Sequence, residues 1–180
     1  DAGRVLGDAV RTRRFVEALD SALDDICAKR GPNDVIHVVD AGCGPVPIFG
    51  VWAALKDKRV RVSCLESNPL SVELARTIIR KLRLEDRVAV LDVDATSTPI
   101  DATDILISET MNSAFCSEQI TEILAILAQY VRPDGHVIPQ RVRVIWTLVP
   151  KRAFDNPADG YLTSQGAIWP DLRKHAFQES

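Results

Sequence analysis

Residues 35–66 constrain the fold more than any other stretch. Val35-Ile36-His37-Val38-Val39-Asp40 is a β-branched run that meets a turn at Ala41-Gly42-Cys43-Gly44-Pro45. Residues 48–56 have helical character, and residues 60–65 form a second apolar run that closes on Glu66. A buried strand joined by a helical crossover to a second buried strand is a parallel βαβ unit. Such a unit builds a nucleotide-type pocket. Gly42 and Gly44 let the backbone approach a ligand where a side chain would block it. Glu66, at the end of the second strand, lies where an acid takes both hydroxyls of a ribose.

The residues that are missing narrow the nucleotide. The dinucleotide fingerprint G-x-G-x-x-G needs a glycine at position 47, and the chain has Pro47. NAD is therefore disfavoured. Asp40, just before the glycines, suits a cationic ligand with an amino group better than a pyrophosphate. The stretch resembles the first motif of class I S-adenosylmethionine (SAM) methyltransferases, [D/E]-x-G-x-G-x-G, with Val46 at the third glycine. SAM is the expected cofactor. The plainer alternative is a βαβ unit whose glycines only make a tight turn.

Ahead of this unit, Phe15, Leu19, Ala22, Leu23 and Ile26 recur at helical spacing, which predicts an amphipathic helix from Asp8 or Thr12 to Lys29. Gly31-Pro32-Asn33 ends it. Beyond Glu66, Ser67-Asn68-Pro69 predicts a turn, and residues 70–84 a second crossover helix. Residues 88–93 read as a third strand ending in Asp94, and residues 104–107 as a fourth. Residues 118–130 read as a helix with Ser117 as N-cap, and Arg132-Pro133-Asp134-Gly135-His136 as a turn into Val137-Ile138-Pro139. Strands interleaved with helices give an α/β fold with a Rossmann-like, doubly wound, mostly parallel sheet. Ligands of such sheets bind outside the carboxyl ends of the strands, so Asp94 faces the glycine-loop crevice in this reading. There it can accept from an exocyclic amine such as that of adenine, or simply cap a turn.

Composition excludes several classes. At 180 residues, with 46% hydrophobic and 26% charged residues, the chain is globular rather than disordered. A net charge of −3 leaves no basic footprint for nucleic acid. No eighteen-residue apolar run or signal peptide appears, so no membrane partner is expected and a cytoplasmic location is the default. Cys27, Cys43, Cys64 and Cys116 show no paired spacing and read as reduced thiols. His37, His136 and His175 are scattered, so no metal site is expected. The first residue is Asp1, which fits a piece of a longer protein.

Two acids carry the chemistry. Glu109 follows the fourth strand, and Glu118 returns nine positions later across a short loop. Two carboxylates at one mouth can hold a planar guanidinium by bidentate pairing. A guanidinium is a poor nucleophile because its lone pairs are delocalised. Acids that orient it and draw its charge from one nitrogen favour attack on a sulfonium methyl. The plainer alternative makes Glu118 a first-turn acid stabilised by its helix dipole.

With these motifs in hand, the chain resembles the core of the protein arginine N-methyltransferases. Ser108-Glu109-Thr110-Met111-Asn112 with Glu118 matches their double-E loop, S-E-x-M-G followed by a second glutamate at that spacing. Leu6-x-Asp8-x-Val10-Arg11-Thr12 resembles their L-x-D-x-V-R-T N-terminal helix, which covers SAM. Pro133-Asp134-Gly135 and Pro139 resemble the segment that leads into their β-barrel. The resemblance implies that Arg11 binds the SAM carboxylate, that Gly42 and Gly44 line its methionine part, and that Glu66 and Asp94 hold ribose and adenine. It implies that Glu109 and Glu118 grip the substrate guanidinium, that Met111 packs near the transfer site, and that Asp8 supports the two glutamates. Thr110 stands where the family usually has an aromatic, and Asn112 where it has glycine.

The expected organisation is a helical cofactor lid over residues 1–30, a SAM-binding core over residues 31–139, and the start of a β-barrel-like domain over residues 140–180, with residues 141–148 alternating as a strand. The expected function is SAM-dependent methyl transfer to a guanidino nitrogen, on a protein arginine, free arginine or a small guanidino compound. A homodimer would form through regions not in this chain. Two alternatives stay open: a methyltransferase for another small molecule, and an inactive SAM-binding protein serving regulation or assembly.

Overall fold

The computed structural model describes residues 9–111 and 119–141. Glu118, Asp8, the Ser117 cap and the strand expected at 141–148 fall wholly or largely outside them. The chain divides into a unit of residues 1–142 and a unit of residues 143–180.

The element order is α1 (Ala9–Lys29), β1 (Ile36–Ala41), α2 (Ile48–Lys56), β2 (Val60–Glu66), α3 (Pro69–Leu82), β3 (Val88–Asp92), β4 (Thr103–Ile107), α4 (Ile120–Leu127), a 3₁₀ turn (Ala128–Tyr130) and β5 (Val131–Ile138). All pairings are parallel, in the order β3-β2-β1-β4-β5. The order reverses between β1 and β4. That switch point opens a crevice at the strands' carboxyl ends.

Each face of the sheet buries its own core. Ile36, Val38, Val60, Val62, Ile105 and Ile107 pack under α1, α2 and α3, while Val39, Ala41, Leu65 and Leu106 pack under α4. Alternate residues of each strand serve opposite faces, which is why the strands read as continuous apolar runs. Phe15 of α1 meets Phe49 of α2 with ring centroids 5.4 Å apart. Asn68 caps α3 by accepting from the backbone N–H groups of Leu70 and Ser71, with Pro69 as the first helical residue.

The edge strand departs from expectation. Residues 132–136 do not turn ahead of a strand but lie within β5, where the register jumps from Thr103–Val131 to Ile105–His136. Three extra residues bulge out there. A side chain at Gly135 would meet the Asp104 carbonyl oxygen at 2.5 Å, so only glycine admits that backbone approach.

A charge cluster ties the edge together. The fully buried Asp104 accepts from Arg30 at 2.6 Å, Arg132 at 2.8 Å and the His37 N–H at 2.8 Å. Among the described residues, no helix is long and apolar enough to cross a membrane.

Candidate functional site

The glycine loop is built by what surrounds it. Gly42 and Gly44 have φ of +76° and +66°, the left-handed region that favours glycine. The N–H groups of Gly42 and Cys43 both bond the Leu65 carbonyl, at 2.8 and 3.1 Å, which anchors the loop on the end of β2. Glu66 then splints it: one carboxylate oxygen accepts from Gly44 N–H at 2.9 Å and the other from Asn68 N–H at 2.8 Å. Each oxygen keeps a second lone pair for a ligand hydroxyl.

A cavity of about 550 Å³ lies over this loop, lined by Arg11, Asp40, Gly42, Gly44, Glu66 and Glu109 among others. Pockets of roughly 300–1,000 Å³ suit small ligands. Met111 and Thr110 also line it, so α1, the glycine loop, the end of β2 and the loop after β4 converge on one mouth. A side chain at Gly44 would meet nothing within 4 Å, so the loop presents bare backbone to the cavity. The residues present fit a nucleoside with a charged tail: a carboxylate for the ribose, bare backbone beside it, and an arginine at the rim.

Asp40 is nearly inaccessible and lines the cavity from β1. Its carboxylate accepts from the Gly50 N–H in the first turn of α2, at 3.1 Å. Since α2 has no side-chain cap of its own, a strand residue satisfies one of its orphan donors. Burial, opposed by the Gly50 bond and reinforced by the nearby Glu66 charge, pushes the Asp40 carboxyl up to about 7.

Arg11 and Glu109 meet directly, Nη1 to Oε1, at 3.0 Å. Glu109 is largely buried, with 7% of its side chain exposed. A guanidinium therefore already sits on this carboxylate, contributed by α1.

Asp94 is not brought into the cavity lining. Its carboxylate accepts from the N–H and hydroxyl of Thr96, at 2.8 and 2.7 Å, an Asx turn just beyond β3, which holds its pKa below the ordinary carboxylate value. Among the described residues no group of three or more His, Cys, Asp or Glu could hold a metal ion. Cys27, Cys43 and Cys64 are free thiols.

Two contributors escaped sequence reasoning. A side chain at Gly50 would press on Cys64 Sγ at 2.6 Å and on Val62 at 3.2 Å, so this glycine sets the close approach of α2 to β2. In the dinucleotide fingerprint the third glycine gives that packing; here it comes three residues later than Pro47. A glycine inside a helical run was the available signal, because helices tolerate it at a cost of about 1 kcal/mol. The other is the seat of Thr110 on the glycine loop, where its methyl would overlap any side chain at Gly42. No spacing pattern announces that contact.

The sequence profile described as PRMT5 arginine-N-methyltransferase matches residues 6–138. Protein arginine N-methyltransferase 5 of Drosophila melanogaster is 26% identical over 140 residues, 74% of this chain and 23% of that protein. Among solved structures, protein arginine methyltransferase 10 of Arabidopsis thaliana superposes with a TM-score of 0.61 at 20% identity, covering 74% of this chain and 36% of that one. A SAM-dependent methyltransferase from Thiobacillus denitrificans, solved with S-adenosyl-L-homocysteine, superposes with a TM-score of 0.51 at 18% identity, covering 69% and 46%. The fold is that of class I SAM-dependent methyltransferases. The chain spans about half the length, or less, of the curated relatives it matches. With residues 6–138 on the family's profile, well over half of its length, the chain belongs to the PRMT5 arginine-N-methyltransferase family.

Proposed function

We propose that this chain is the cofactor-binding core of a SAM-dependent methyltransferase that acts on a guanidino nitrogen of arginine, in a protein or in a small guanidino compound. The observation that carries the proposal is Glu109, a largely buried carboxylate facing the glycine-loop cavity and already paired with a guanidinium at 3.0 Å. A carboxylate that accepts one arginine in this position has the shape and charge to accept another.

Residue roles follow. Glu66 would hold the ribose hydroxyls with its remaining lone pairs, and Gly42 and Gly44 would line the methionine part with bare backbone. Arg11 would bind the cofactor carboxylate, and Asp94 the adenine amine by turning from Thr96. The bound cofactor supplies a methyl group on an electrophilic sulfonium. Glu109, with Glu118, would orient the substrate guanidinium and concentrate its positive charge away from the attacking nitrogen. Met111, at the cavity wall, would exclude water beside the reacting atoms. Residues 1–30 would act as the lid and residues 140–180 as the start of a second domain. A cytoplasmic setting without nucleic-acid or membrane partners suits the charge balance, and dimerisation would use regions outside this chain.

The test is mass spectrometry of full-length protein incubated with SAM and either free arginine or an arginine-rich peptide. Glu109→Gln and Glu118→Gln are each expected to lower transfer by about two to four decades, as loss of ~3–5 kcal/mol of charge pairing implies. S-adenosylhomocysteine affinity should be nearly unchanged. Normal turnover by either variant would promote another small-molecule acceptor. No turnover by the parent on any acceptor would favour a SAM-binding regulatory protein.

A further inference from the structure

Ser108 and Thr110 flank Glu109, and their side chains reach the end of β1 and the first glycine after it. Ser108 is fully buried, and its hydroxyl donates to the Ala41 carbonyl at 2.9 Å while its N–H donates to the Ile138 carbonyl at 2.9 Å. A hydroxyl has one proton, and that of Ser108 is committed to an oxygen that has none to give. The remaining contact, Ser108 Oγ to Thr110 Oγ1 at 3.3 Å, must therefore be donated by Thr110. The Thr110 methyl, on the other branch of the same side chain, lies over Gly42, in the space that glycine's missing Cβ leaves. Each branch of this threonine thus has its own task. Ala41 and Gly42 are consecutive, so the two contacts grip both sides of one peptide group in the cofactor cradle.

We propose that Ser108 and Thr110 are positioning residues, a clip that locks the Glu109 loop to the glycine loop and sets the acid's distance from the cofactor. The proposal rests on the reading of Glu109 as the acid that binds the substrate guanidinium. The backbone of Glu109 lies between two pinned neighbours, so its Cα cannot shift relative to Gly42 without breaking one of them, and the carboxylate beyond it is held by Arg11 at 3.0 Å. A misplacement of about 1 Å can cost a hundredfold in rate.

The experiment measures kcat, KM and S-adenosylhomocysteine affinity in full-length protein for Ser108→Ala, Thr110→Val and Thr110→Ser, with Glu109→Gln alongside. Ser108→Ala and Thr110→Val remove the hydroxyl bonds and are expected to lower kcat about ten- to a hundredfold, with KM and affinity within about threefold. Thr110→Ser keeps the donor but loses the methyl over Gly42, and is expected to lower kcat less than Thr110→Val does. A fall in affinity matching the fall in kcat would mean the residues only support the cofactor pocket, and would overturn the clip. Parental kcat in both hydroxyl-free variants, beside an inactive Glu109→Gln, would overturn the clip alone. Normal turnover by Glu109→Gln would overturn the arginine reading and the clip with it. A second measurement is independent of turnover. Gly42→Ala is expected to weaken S-adenosylhomocysteine at least about threefold more in the parent than in Thr110→Ser, which lacks the methyl that the new Cβ would overlap. Additive effects there would overturn the contact between the loops.

Discussion

The Arg11 guanidinium on α1 lies 3.0 Å from the Glu109 carboxylate on the loop after β4. This pair joins the N-terminal helix to the acid on which the proposed chemistry depends. A cofactor carboxylate in the same cavity would draw on Arg11 too. Arg11→Ala is therefore expected to weaken S-adenosylhomocysteine binding by about 1.5–3 kcal/mol, the range for hydrogen bonds to charged groups. Calorimetry reads this directly, and an unchanged affinity would remove Arg11 from the cofactor site.

Asp104 should matter more to stability than any exposed ion pair. It has no exposed side-chain surface, and two arginines and a backbone N–H converge on it. Asp104→Ala would leave partly buried cations and an unsatisfied donor, at about 3–5 kcal/mol. Arg14→Ala, breaking the exposed contact with Glu17, should cost at most about 0.5 kcal/mol. Urea midpoints would separate the two, and equal midpoints would contradict a structural role for the Asp104 cluster.

Gly50→Ala is expected to destabilise by about 1–3 kcal/mol, because its Cβ would overlap Cys64 Sγ and press on Val62. Part of that loss should return in the Gly50→Ala/Cys64→Ala double variant, where the sulfur is gone. Thermal midpoints of the four proteins test it. Strict additivity would show that α2 relaxes away from β2 without meeting the thiol.

Asp40 gives a pH signature of defined sign. Its folded pKa, pushed up to about 7, lies above the roughly 3.9 of an unfolded aspartate. Between those values the folded state holds a proton that the unfolded state has lost, so this group's contribution is fully present below about pH 4 and is lost as pH rises to about 7. The slope approaches 1.4 kcal/mol per pH unit. Asp57, held below its ordinary value by Arg59, and Asp134, held below by Arg30, act oppositely and below about pH 4. Parent and Asp40→Asn unfolding curves should thus converge or cross as pH rises from 4.5 to 7. Parallel curves across that window would mean Asp40 is ionised in the fold.

What could be read from the sequence was local and periodic. The helix α1 buries Phe15, Leu19, Ala22, Leu23 and Ile26, the residues whose spacing predicted it, and β2 runs from Val60 to Glu66, because buried strands and amphipathic helices write their periods into the chain. The paired glycines marked a tight loop open to a ligand, and in the fold both take the left-handed backbone that few other residues adopt. Tertiary structure decided which distant groups share a surface. Asp40 answers a helix N–H ten residues on, Gly50 replaces the packing glycine missing at position 47, and Thr110 fits the notch at Gly42. Arg11 reaches Glu109 across almost a hundred positions. Contacts of this kind depend on how α1, α2 and the loop after β4 close over one end of the sheet. No spacing rule within a single element encodes that closure.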